Sequence, residues 1–511
     1  MFALLTNATH AAVARERIAE FFSAHAEWFY SLSDNSTEAL RRSELDVSLV
    51  QGRLILSCWT NKGIRTWRIR GCDWIGDKLL LQTSRRMGAE RPVIELVPRA
   101  AASSIAAAVR AARLMRCGQL AELVVGLRPG TRIERTALSP GIRRGQPGKY
   151  ARITLRQKHQ RIAVTGSVAS GRGSEVDAFL ASALLWFTRS SENSRSPYIQ
   201  QLVLVAESEL IKQLTHRIAL LRDSLRAAIA VYEVDDLWTE VSPVACPTKS
   251  DLWKRRLARF PPVAAPEASD LADAIVALAP EAIDIVHVRH GQTLRYFGLP
   301  FARVRRVMNA ERVWFGIEAS HRQLLDQGSQ SGWAALLQDL REHRSPTSSD
   351  HRQALYRNAA EAWLESLLRR DITRLDPGLI IAPLHAQFRT ARGGRLGVRP
   401  VDLLALRTDG RLVVIELKVV EDREHVLQGA DYWQRVEAHR RRGHISRAQL
   451  FGARRIKDEP PLVYLVAPTL RVHPSFHTLL RLIAPDIEIY RFDINEDWRA
   501  GVRVMRRMRV E

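Results

Sequence analysis

The chain has 511 residues, more than one hydrophobic core serves, so roughly two to four domains are expected. An apolar content of 46% excludes a disordered or fibrous class. The net charge of +22 favours a polyanionic partner, nucleic acid above all, although only nine of the 77 basic residues are lysines and a high arginine share can also follow from nucleotide composition.

Residues 1–98 open with a helix-like stretch and continue in short strand-like runs, LDVSLV, GRLILSCW, KLLLQT and PVIELVP, punctuated by turn residues. They predict a β-rich N-terminal domain without a chemical signature. Residues 99–237 predict an αβ domain. It starts with an Ala-rich helix (SSIAAAVRAARLM) and the strand TRIERTAL, followed by the hairpin ARITLRQ–KHQ–RIAVTGSV. The apolar helix EVDAFLASALLWF, the strand QLVLVAE, a further helix and the strand AIAVYEVDD complete it. Residues 238–345 read as a Pro-rich linker with a small αβ segment, ending near HRSPTSSD.

Residues 346–511 repeat the middle plan. The helix NAAEAWLESLLRR leads to a strand LHAQFRT, a Gly/Arg loop, and the hairpin VDLLALR–TDG–RLVVIELKV. The helix VLQGADYWQRVEAHRR, the strand LVYLVAPT, a helix and the strand IEIYRFD follow. LVLVAE at 202–207 echoes LVYLVAP at 462–468, and AIAVYEVD at 228–235 echoes IEIYRFD at 487–493. An internal duplication is one explanation; a chance likeness of common αβ segments is the other.

Cys58, Cys72, Cys117 and Cys246 are scattered, which argues against a zinc site and a disulfide framework. No secretory leader or membrane-spanning run is recognisable, so a cytoplasmic protein with no membrane partner is expected. No GxxxxGK[ST] phosphate loop is present. His287 and His290 lack a third ligand at a recognisable spacing and read as a surface strand.

The C-terminal hairpin is the most informative feature. Glu416 and Lys418 stand at i and i+2 on one strand and so share a face, while Leu417 points to the opposite side. A turn at Thr408-Asp409-Gly410 brings Asp402 alongside them. The strand is too apolar for a solvated edge, so two carboxylates and an ammonium form a patch in apolar surroundings. Carboxylates are the ligands Mg²⁺ prefers, and a lysine near a scissile phosphate can stabilise developing charge. An ordinary Glu–Lys ion pair is the competing explanation.

Pro400-Val401-Asp402 followed by Glu416-Leu417-Lys418 resembles the PD-(D/E)xK nuclease superfamily. The helix with Gln428 and Tyr432, and the upstream Glu361-Ala-Trp-Leu-Glu365, are similar to elements of its NucS/Mrr-like branch. The resemblance covers about 350–495. It implies a restriction-endonuclease-like α/β fold with a mixed central sheet. It further implies a Mg²⁺- or Mn²⁺-dependent nuclease, with DNA preferred over RNA. Asp402 and Glu416 would be metal ligands, with the Leu417 carbonyl as a third. Lys418 would act on the attacking water, Gln428 would support it, and Glu361 would be the helix acid, with Glu365 an alternative one turn on. The chain has Pro-Val-Asp where the family pattern has Pro directly before the acid.

Superposing the hairpins without a gap sets Ala151, Thr165 and Ser167 at the positions of Asp402, Glu416 and Lys418; aligning the helices sets Ala181 at Gln428. A duplicated middle unit would thus be a nuclease-like copy without metal ligands, suited to nucleic-acid binding, homodimer formation or scaffolding. Arg440, Arg441 and Arg442 are candidate phosphate contacts because they follow the site. The basic tail RVMRRMRV is either a further contact or a frayed amphipathic end. The alternative to an enzyme is a non-catalytic nucleic-acid-binding protein that retains the nuclease fold.

Overall fold

The computed structural model describes residues 3–4, 8–32, 37–60, 63–75, 78–85, 92–98, 102–141, 147–169, 176–192, 199–235, 238–254, 269–288, 291–308, 310–317, 322–381 and 402–510. Mixed α/β architecture runs through two compact units. One comprises Met1–Glu175, Arg189–Ile211 and Ala230–Val244; the other comprises Val176–Thr188, Lys212–Ile229 and Ala245–Glu511.

In the first unit the N-terminal residues form an eight-stranded antiparallel sheet. Its strand Lys78–Ser84 alternates half-buried and buried residues, the pattern of a sheet with one covered face. The helix Ala8–Ser23 covers it, inserting Ile18 and Phe22 into the core around Trp28, Leu54 and Leu56. The strands Glu27–Leu32, Thr37–Arg41 and Gly63–Ile75 were not evident in the sequence, because Arg, Thr and Glu dilute their apolar pattern.

The second sheet of this unit has six strands in chain order: β1 (Thr131–Pro140), β2 (Pro147–Gln157), β3 (Gln160–Ser167), β4 (Ile199–Glu207), β5 (Ile229–Val234) and β6 (Val241–Val244). β1, β2 and β3 are antiparallel neighbours and β3 is parallel to β4. The helix Ala102–Gly126 contributes Cys117, Leu120 and Val124 to its core.

In the second unit, a five-stranded antiparallel sheet from Ile283 to Leu324 shares one continuous core with a further six-stranded sheet. Across the stretch near residue 345, buried Arg344 donates to the carbonyls of Tyr296, Phe297, Leu355 and Asn358. The strands of that last sheet are β7 (Leu379–Ile381), β8 (Leu403–Arg407), β9 (Leu412–Leu417), β10 (Leu462–Pro468), β11 (Ile489–Ile494) and β12 (Val504–Val510), again in chain order. β7, β8 and β9 are antiparallel neighbours, β9, β10 and β11 are parallel, and β12 is antiparallel to β11. The tail RVMRRMRV is thus a paired edge strand. The strand expected at LHAQFRT lies outside the described residues.

β9 is buried at every residue because both of its faces are covered. Val413, Ile415 and Leu417 enter the large core; Leu412 and Val414 join Leu404, Leu406, Tyr432 and Val436 on the opposite face, beneath α1 (His425–Arg441). α1 lies close to that face at Gly429, where a Cβ would come within 2.6 Å of Leu465 Cδ2. Gly410 supplies the positive φ of +86° that the β8–β9 turn requires.

Candidate functional site

The period of two along β9 puts Glu416 and Lys418 on the α1 face, with Leu412 and Val414. Leu403 pairs with Ile415, so Asp402 stands level with Glu416 one residue further on. Asp402 Oδ2 accepts the backbone N–H of Leu417 at 2.8 Å. The Asp402 carboxyl is also close enough for its charge to act on Glu416.

Glu416 is 1% exposed and Lys418 5%. Lys418 Nζ donates to Glu416 Oε1 at 2.6 Å and lies 3.8 Å from Asp422 Oδ2. Glu416 Oε2 is buried with no hydrogen-bond partner among the described residues. Burial, then the charge of Asp402, push the Glu416 carboxyl well above its ordinary range, against the opposing pull of Lys418. Burial disfavours the Lys418 ammonium, but Glu416, Glu361 and Asp402 outweigh it and raise its pKa.

α1 supplies three side chains to this patch. His425 Nε2 sits 3.2 Å from the Glu416 carbonyl oxygen, and burial, aided by Lys418, lowers its pKa to about 3. Gln428 is 2% exposed; its amide donates to Glu424 at 3.4 Å, while its Oε1 is buried without a partner among the described residues. Burial, then Glu416 and Asp402, raise the pKa of Tyr432. His425 was missed in the sequence because a lone histidine at a helix start carries no signal.

Both candidates for the helix acid, Glu361 and Glu365, lie on α2 (Ala360–Arg370). Half-buried Glu361, in its first turn, lies within electrostatic reach of Lys418. Glu365 is committed elsewhere: it accepts from Arg369 at 3.0 Å and from Arg295 at 3.3 Å. Glu365 also feels the charge of Asp402, so both glutamates of this helix lie within electrostatic reach of the patch.

The arginines at the C-terminal end of α1 have partners within the chain. Arg440 and Arg441 both bind Glu437, each with a contact of 2.6 Å, and Arg442 donates to the carbonyls of Ala438 and Trp253. In the other six-stranded sheet Thr165 pairs with Arg152, so the residue opposite Thr165 is Arg152, one position from the Ala151 expected by a gap-free hairpin alignment. The cause is the tighter connection there: Gln157 pairs directly with Gln160, whereas Arg407 and Arg411 flank a three-residue turn.

Two apposed carboxyls, one orphaned buried oxygen and an adjacent ammonium suit a hard divalent cation, which prefers oxygen ligands and relieves the repulsion between acids. Among the described residues no group of three or more His, Cys, Asp or Glu side chains is arranged to hold a metal ion.

No family model matches the chain, and no curated protein matches it. A solved structure described as the structure of EndoMS in apo form is similar at 9% sequence identity and a TM-score of 0.16, over 46% of this chain and 97% of the other. A likeness of that size carries no functional argument. No described helix is long and apolar enough to cross a membrane.

Proposed function

We propose that the chain is a divalent-cation-dependent nuclease that hydrolyses phosphodiester bonds, with DNA preferred over RNA. The observation that carries this reading is the apposition of the Asp402 and Glu416 carboxyls beside the Lys418 ammonium in a buried setting. Asp402 and Glu416 would hold Mg²⁺ or Mn²⁺. The cation, when bound, supplies Lewis-acid charge to phosphoryl oxygens. Lys418 keeps its proton under the field of Glu416, Glu361 and Asp402, so its role is to orient the attacking water and stabilise negative charge. Gln428, with its oxygen uncommitted, is suited to position that water from α1.

The preference for DNA rests on the motif resemblance alone. The equal strand order of the two six-stranded sheets supports the internal duplication, with Arg152, Thr165 and Ser167 leaving the first copy without metal ligands. One observation favours the second reading, a nucleic-acid-binding protein without catalysis: Lys418 occupies Glu416 Oε1, as a purely structural pair would.

Plasmid and single-stranded DNA incubated with Mg²⁺ or Mn²⁺ separate the two. The nuclease reading requires cleavage that disappears in both Asp402→Ala and Lys418→Ala. Cleavage that survives both substitutions, or salt-sensitive binding without cleavage in the wild type, overturns it.

A further inference from the structure

We propose that His477, Arg481 and Arg506 form a binding patch for the nucleic-acid backbone, held in shape by the Arg491–Asp493 pair. The inference rests on the reading above for what the bound strand is used for, but not for the binding itself.

The patch lies on the same face of the sheet as the candidate site. Glu416 pairs with Leu465, and Leu465 with Arg491, so Glu416 and Arg491 occupy one lateral row. Lys418 is one residue beyond Leu417, which pairs with Val466, so the next row holds Ala467, Asp493 and Arg506. At about 4.8 Å between strands, Arg491 stands two strands, about 10 Å, from Glu416; Arg506 stands three strands, about 14 Å, from Lys418. The two places are also joined by packing: His425 touches the Glu416 carbonyl and meets the Phe476 ring edge-on at 6.1 Å, and the Arg491 guanidinium lies 5.5 Å above that ring.

The charge balance there is one-sided. Asp493 is buried and spent on Arg491, which it grips through both oxygens at 2.6 and 2.8 Å. Arg491 in turn lies 3.0 Å from His477 Nε2. Exposed Arg481 and Arg506 form no ion pair with a described residue. Burial, then Arg491, Arg481 and Arg506, hold His477 below its ordinary range, the response of an imidazole to crowded positive charge. Other arginines of the same unit are paired with acids, as Glu437 pairs with Arg440 and Arg441. Three cationic or hydrogen-donating side chains with one satisfied acid, one row from a candidate phosphodiester site, fit phosphate oxygens.

The test is fluorescence anisotropy of the full chain with labelled duplex DNA in EDTA, over a series of salt concentrations, so that binding is read without cleavage. For Arg481→Ala/Arg506→Ala, affinity at low salt falls roughly tenfold and the slope of log K against log salt drops by about 1.8. Arg481→Lys/Arg506→Lys restores most of that slope, and an unchanged thermal melting curve shows that both variants fold. A double alanine variant with the wild-type slope overturns the proposal. So does competition by millimolar inorganic phosphate that matches competition by DNA, which would mark a small-anion site. Because no divalent cation is present, a protein that never cuts DNA can still satisfy this test.

Discussion

Lys418 Nζ lies 2.6 Å from Glu416 Oε1, with both side chains buried. If the ammonium acts on a phosphodiester, Lys418→Ala lowers the cleavage rate by at least about 100-fold. Lys418→Met, which keeps the aliphatic stem, does the same. Neither variant loses divalent-cation binding, because lysine is not a ligand. Steady-state cleavage alongside a Mn²⁺ thermal-shift titration checks both halves.

The charge of Asp402 helps raise the Glu416 carboxyl, and a divalent cation held by both residues would relieve that repulsion. Mn²⁺ at about 100 times its dissociation constant then stabilises the fold by about 2.7 kcal/mol. Asp402→Asn and Glu416→Gln should each abolish that gain while leaving the cation-free protein folded. A melting temperature that rises equally in wild type and in both variants would contradict the assignment.

His425 has a pKa near 3 in the folded chain, against an ordinary value of 6.5. Between those values the unfolded chain binds a proton that the folded chain refuses, so stability falls as pH drops below about 6.5, by up to about 1.4 kcal/mol per pH unit. Glu416, whose pKa is raised, acts in the opposite sense above its ordinary range. The informative quantity is therefore the difference in slope between wild type and His425→Gln, measured by urea unfolding from pH 6.5 to 5. The variant should lose the histidine contribution.

Arg217 is buried between Asp177, 2.7 Å away, and Asp431, which also pairs with Arg435. Arg217→Met strips the half-buried Asp177 of this partner and leaves Asp431 with Arg435 alone, at a cost of about 3 kcal/mol. Chemical denaturation measures it directly. Substituting exposed Arg454 by Met should cost far less.

The hairpin was legible because its signals are local: alternation along two short strands, a Thr-Asp-Gly turn, and two charges in an apolar run. The register then aligned Asp402 with Glu416 as the spacing predicts. The hydrogen bond from Leu417 N–H to Asp402 was not legible, because nothing in composition tells which oxygen meets which amide. Nor was Arg217, whose partner Asp431 is 214 positions away. The strand at Val504–Val510 was not legible, and its tail read as either a phosphate contact or a frayed end, because an edge strand with one exposed face carries arginines freely. Nor were the partners of the basic run Arg440–Arg442 legible: Glu437, three and four residues earlier, pairs with two of its members.

The separation between Arg217 and Asp431 also has a consequence in time. The ribosome completes Arg217 with 214 residues still to add before Asp431 exists. At about 5–20 residues per second that is an interval of roughly 10–40 s. During synthesis the segments Val176–Thr188 and Lys212–Ile229 therefore wait for the part of their unit that begins at Ala245. The emergence of Asp431, rather than of either segment, is the event that lets this guanidinium complete its ion pairs.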